Sequence, residues 1–237
     1  MSEYEIFQKY ITVVKQNYIE AIASYHTYNT IREIIAPNII GQEKAEENAK
    51  TLNRYNSFFL TTINSLYNNF LIHLSKILDG HKDDPISIQL LIKYAKNHKD
   101  KFTIEEFKKS NKNNNILDKL IERYTWLTDE DIEKVDQKFK ECDTERKTIK
   151  DIRDKFLTHE DRVKPKIYIQ ENDIKKLFNF IKETLDLFSS KTNGSFIIYK
   201  KIEDDCERDA RDIVEHLKVF DKNRRKEWME KYNIPSR

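Results

Sequence analysis

The sequence predicts an all-α protein, a bundle of long helices, on three observations. Three glycines and four prolines in 237 residues are too few turn formers for a β-rich fold of this size. Apolar residues recur at three- and four-residue steps over long stretches, which is the period of a helix face. Charged residues make up 35% of the chain against 38% hydrophobic, the balance of amphipathic helices with solvated outer faces. A chain of this length suits one large domain, or a domain with a helical appendage.

The first helix is expected over 3–36, with Ile6, Tyr10, Val13, Val14, Asn17, Tyr18 and Ala21 as its stripe; Pro37 ends it and Gly41 lies in the turn. A second long helix is expected over 43–78, striped by Leu52, Phe59, Ile63, Leu66, Phe70, Leu74 and Ile77 and closed by Asp79-Gly80. A shorter helix over 87–98 follows Asp84-Pro85, and 99–115 reads as a short helix running into a polar, Asn-rich loop. Thr128 caps the most regular segment, and Asp129, Glu130 and Asp131 sit at the positive end of its dipole. Ile132, Val135, Phe139, Cys142, Ile149 and Phe156 then keep a three-four alternation to about residue 158. This helix is expected to run antiparallel to the 43–78 helix at the centre of the bundle. Arg146 and Arg153 take two positions on that seam, where burial is costly without acidic partners. For Arg146 the residues leave two readings open, a rim arginine paired with acids or a functional one.

Beyond Pro165 the stretch KIYIQEND suggests a short extended piece, followed by a helix over about 171–189. Asn193-Gly194 marks a turn, and Ser195–Tyr199 is either a short strand or the first turn of the next helix. A charged helix over 202–232 ends the chain, with Ile213, Leu217, Phe220 and Trp228 as a thin apolar stripe. The expected division is a helical bundle over 1–190 and a charged helical C-terminal extension over 191–237.

Several classes are set aside by what the sequence lacks. No apolar run approaches the roughly 18 residues of a membrane span. The acidic start MSEYEIFQKY has neither the basic opening nor the apolar stretch of a secretory signal. Two isolated cysteines, Cys142 and Cys206, form no disulfide framework, so a cytoplasmic location without a membrane partner is expected. A net charge of +2 gives no whole-chain case for nucleic acid, although a basic cleft suffices for transient binding. Phosphate loops, GxSxG elbows and HExxH helices are missing. The six histidines have no metal-ligand spacing: His26, His81 and His98 read as surface residues, and His73, beside Leu74, as a satisfied histidine at the core edge.

One segment concentrates chemistry-bearing residues: Ile152 to Asp161, IRDKFLTHED, at the end of the most regular helix. Here Arg153 and Asp154 are followed by His159, with five residues between Arg and His. This resembles the motif of the HEPN superfamily of helical RNases and nucleotide-binding proteins, an Arg, then Asn, Asp or His, and a His after four to six intervening residues. The wider string is similar to the AbiU-type abortive-infection branch, with Thr158 standing where that branch has Ala. LIHLSKILDG followed by ISIQLLI resembles the same branch's helix ending in an Asp and its following short helix, so the resemblance covers roughly 45–185. It implies a homodimer in which two motifs face one another across a cleft. It also implies a metal-independent endoribonuclease, a toxin or antiviral-defence effector, with Arg153, Asp154 and His159 as its site. RNA is then the substrate, a cognate antitoxin or regulator a further partner, and no cofactor is needed. The alternative is a non-catalytic HEPN-like dimer that binds RNA, nucleotide or a partner protein.

So short a motif meets a chain with eleven arginines about once by chance, and Arg211 with His216 forms a second match. It falls mid-helix in the charged tail, where Arg and His more often form a solvated face. The first match is favoured because it ends a long bundle helix and has family-like flanks, and its chemistry is sound on physical grounds. RNA supplies its own nucleophile, the 2′-hydroxyl; a near-neutral His moves protons, and Arg holds non-bridging oxygens in a bidentate contact. Residues six apart stand about 9 Å along an ideal helix and about 120° around it. Either the helix breaks before His159 or a second copy completes the site.

Overall fold

A computed structural model describes residues 1–79, 86–154, 169–195 and 198–232, the side chain of Arg123 excepted. Every regular element among them is helical. Helix α1 spans Glu3–Glu33. Pro37 does more than end it: the residue opens α2, Pro37–Ile40, where a fixed φ and a missing N–H cost nothing. Gly41 then takes φ 87°, a backbone that favours glycine.

The two long helices expected to run antiparallel at the centre of the bundle are each divided. The 43–78 segment forms α3, Gln42–Arg54, and α4, Asn56–Asp79, parted at Tyr55, whose N–H turns back to the Leu52 carbonyl. Of the 129–158 segment, the described part forms α8, Asp129–Glu141, and α9, Asp143–Ile152, parted at Cys142, and residues 155–158 lie outside the described residues. The acids Asp143 and Glu145 favour a fresh N-terminus there. Between these pairs lie α5, Ile88–His98, capped by the Ser87 hydroxyl; α6, Ile104–Ser110, capped by Thr103; and α7, Leu117–Arg123, which the Asn-rich context concealed. Helix α10, Glu171–Asn193, stops at Gly194 with φ 64°. Ser195 and Ile198 have no regular structure, and Tyr199 opens α11, Tyr199–Lys231. Asp84, Pro85, Phe156 and Pro165 lie outside the described residues.

The chain divides into two compact units. The first comprises residues 1–21 and 70–198. Its part of α1 buries Tyr4, Phe7, Ile11, Val14, Tyr18 and Ala21, while Ile6, Tyr10 and Val13, expected on the stripe, are half-buried. Phe7 stacks on Phe102 at 4.5 Å and meets the edge of Phe188 at 5.5 Å. The buried hydroxyls of Tyr4 and Tyr18 donate to the carbonyls of Thr192 and Phe178, so both rings enter the core with their polar ends satisfied. Leu74 and Ile77 of α4, Ile132 of α8, Ile149 of α9 and Ile181 of α10 complete this core.

The second unit comprises residues 22–69 and 199–237, and so takes in α11. Ile31, Ile34, Leu52, Phe59, Ala210 and Val214 form its core, with Ile63, Leu66 and Leu217 packed against it. The inward face of α11 differs from the expected stripe: Ala210, Val214 and Asp221 are buried, whereas Ile213, Phe220 and Trp228 are more than half exposed. Asp221 explains the shift, because its buried carboxylate accepts the Tyr55 hydroxyl at 3.0 Å and pairs with Arg54 at 2.7 Å. No helix of the described residues is long and apolar enough to cross a membrane.

A candidate arginine site at the end of α9

The site lies in the first unit and follows from the seam of α9. Seam positions of a helix face its neighbours, so Arg146 and Arg153 are carried inward by the same periodicity that buries Ile149 and Ile152. Opposite them, the last turns of α4 present Ser75 and Asp79, four residues apart and therefore on one face. Arg153 follows α9 in a π-helical turn, its backbone N–H shared between the carbonyls of Ile149 and Lys150. Its guanidinium is fixed on several sides. Nε and Nη2 both reach Oδ1 of Asp154 at 2.7 Å, and Nη1 donates to Ser75 Oγ at 2.9 Å.

Asp79 stands between the two arginines. Its Oδ1 lies 3.6 Å from Arg146 Nη2 and its Oδ2 lies 4.0 Å from Arg153 Nη1, which are ion pairs rather than hydrogen bonds. Among the described residues Oδ2 accepts no hydrogen bond, and Arg146 Nε makes none. Arg146 is held instead by Asp143 at 3.5 Å and by the Phe139 ring, whose centroid is 3.7 Å from the guanidinium carbon. The side chains of Arg146, Asp79 and Arg153 are 13%, 15% and 18% exposed, so solvent screens this trio little. Burial pushes the Asp79 carboxyl above its ordinary range, and the opposing pull of Arg146, Arg153 and Lys150 does not overcome it; Asp154 adds to the rise.

Of the residues expected at the site, Arg153 and Asp154 are together and hydrogen-bonded. His159 lies outside the described residues. Ser75 and Asp79 were not foreseen as site residues. The signal that could have found them is indirect: two seam arginines require acids, and Asp79 closes an apolar helix with a charge. The competing pair behaves differently, since Arg211 is engaged by Glu33 at 3.2 Å and His216 is exposed. His73 is satisfied at the core edge. Asn17 donates through Nδ2 to the Val13 carbonyl, which turns its Oδ1 toward His73 and makes Nδ1, 2.8 Å away, the donor. Burial, helped by Lys76 and opposed by Glu20, holds this histidine's pKa below its ordinary value. Among the described residues no three His, Cys, Asp or Glu side chains gather as metal ligands would.

Against known proteins, the AbiU2 family model, a HEPN model, matches residues 5–213. No curated protein and no solved structure matches the chain.

Proposed function

The chain belongs to the AbiU2 family of HEPN proteins, and from that premise we propose that it is a metal-independent endoribonuclease of abortive infection, acting in the cytoplasm as a homodimer. The observation that carries this reading is the anchored guanidinium of Arg153, which Ser75 and Asp154 hold by three short contacts beside Asp79. Family membership also favours this motif over the tail pair, because the match ends at residue 213, before His216.

In the reaction, His159 takes the proton of an RNA 2′-hydroxyl and its oxygen attacks the adjacent phosphorus. The P–O5′ bond breaks as the 5′-oxygen receives a proton from a second acid, which is His159 of the other motif. Arg153 turns from Asp154, a partner 47% exposed, and pairs with the non-bridging oxygens as their charge builds. The products are a 2′,3′-cyclic phosphate and a 5′-hydroxyl. One feature favours the rival, non-catalytic reading: in this state Arg153 already has structural partners on Nε, Nη1 and Nη2.

The test is incubation of total RNA with the purified protein in EDTA, with Arg153→Ala and His159→Ala beside it. Cleavage that survives EDTA, leaves cyclic phosphate ends, spares DNA and falls by about 100-fold or more in both variants supports the reading. Inhibition by EDTA, or 3′-hydroxyl ends, would falsify the mechanism. Absence of any cleavage together with RNA binding would leave the binding module.

A further inference from the structure

In the first unit a cleft of about 580 Å³ opens between α5 and α8 and reaches the start of α9. It lies within the range of small-ligand sites, and the proposed reaction makes no use of it. Lys93, Lys96, Lys140 and Arg146 line it against two acids, Asp136 and Asp143, so it is net positive. Asp136 is already shared by Lys96 at 2.8 Å and Lys140 at 3.0 Å, and Asp143 is engaged by Lys147 at 2.8 Å. Lys93 is exposed and has no acidic partner among the described residues. These charges suit an anionic ligand.

The remaining lining narrows the ligand further. Arg146 rests on the Phe139 ring, and among the described residues its buried Nε makes no hydrogen bond. The cleft wall thus carries an arginine held against an aromatic ring, side chains of the two kinds on which unpaired RNA bases stack. Gln89 and Asn97 add amides, each able to donate and accept along a base edge. A phosphate needs only the cations, whereas stacking and amide groups call for a nucleobase. Bases reach such a cleft only when splayed out of a single strand. Arg146 is also the wall that the cleft shares with the arginine site, because Arg146 and Arg153 face the two oxygens of one carboxylate, Asp79.

We propose that this cleft is a nucleotide subsite that holds one base and phosphate of single-stranded RNA beside the linkage engaged by Arg153. The inference rests on the ribonuclease reading of Arg153, but its binding step can be measured without cleavage. The experiment uses the full chain in EDTA and a fluorescent, single-stranded 2′-O-methyl RNA, which has no free 2′-hydroxyl to attack. Anisotropy reports binding to the wild type, Lys93→Glu, Gln89→Ala and Arg153→Ala. Lys93 and Gln89 are exposed, so helicity by circular dichroism should be unchanged in their variants.

The expected result is salt-dependent binding by the wild type, weakened about tenfold or more in Lys93→Glu with a shallower salt slope. Gln89→Ala weakens it less, and on cleavable RNA both variants raise KM while kcat stays near the wild-type value. Wild-type affinity in both cleft variants overturns the subsite, as does failure of the wild type to bind. If cleavage depends on Arg153 but ignores both cleft variants, the ribonuclease reading stands and the subsite falls. If binding depends on the cleft while the wild type cuts no RNA, the subsite stands and the ribonuclease reading falls.

Discussion

Asp79, largely buried, and Asp221, more deeply buried, are both carboxylates beside arginines, yet burial and pairing balance differently in them. At Asp79 burial wins and the pKa rises, so its charge is present in the native state at a cost. At Asp221 burial again pushes upward, but Arg54 at 2.7 Å and the Tyr55 hydroxyl outweigh it and the pKa falls. Linkage gives opposite signs. The contribution of Asp79 to stability is complete below the ordinary carboxylate range and is lost as pH rises through its raised value. That of Asp221 is present above the ordinary range and is lost as pH falls through its depressed value. Asp79→Asn should therefore stay within about 1 kcal/mol of the wild type in urea unfolding at pH 7, and compare less well with it at pH 4. On the ribonuclease proposal, its RNA cleavage should nevertheless fall roughly tenfold or more, because a misplaced Arg153 would weaken transition-state contacts; unchanged activity would leave Asp79 no positioning role. Asp221→Asn should lower Tm by a few degrees at pH 7, with the gap closing as pH falls below the carboxylate range. The Arg153–Asp154 contact was legible because it is local, whereas Asp79 lies 74 positions before Arg153 and no short-range pattern joins them.

The helix breaks show what periodicity carries and what it hides. The apolar repeat runs through both Tyr55 and Cys142, from Leu52 to Phe59 and from Phe139 to Ile149, so pattern alone predicts continuous helices. Neither break contains Gly or Pro, and each is a single residue in a bridge-like conformation. Helix α11 hides its register for another reason, because a buried acid, Asp221, stands where hydropathy looks for an apolar residue. Helix ends, by contrast, were legible where side chains cap them. Thr128 accepts the Asp131 N–H at 3.2 Å while Asp131 accepts the Thr128 N–H at 3.1 Å, a reciprocal box that starts α8. Thr128→Ala should cost about 1 kcal/mol in urea unfolding, and Thr128→Ser should recover most of it. An equal loss in both would mean that the methyl group matters, and the hydroxyl does not.

At the scale of the molecule, the all-α class followed from turn-residue scarcity and periodicity because those are properties of one chain. A partner chain leaves no such trace, and the proposed dimeric site rests on the resemblance and on the spacing of Arg153 and His159. Six residues cannot present both groups together on one straight helix, and a second copy resolves the mismatch by supplying the opposing pair. The proposed dimer makes a quantitative demand. When wild-type chains are mixed with Arg153→Ala chains and allowed to exchange subunits, a site that needs both motifs works only in dimers with two intact copies. At an equal mixture those are about one quarter of the dimers, whereas autonomous sites would retain about one half of the activity. Activity should therefore fall as the square of the wild-type fraction at constant total protein. The exchange must be shown separately, by energy transfer between differently labelled chains, and light scattering must give twice the chain mass. A linear decline in a mixture with proven exchange would mean that each chain carries a complete site, and the spacing of Arg153 and His159 would then have to be met within one subunit.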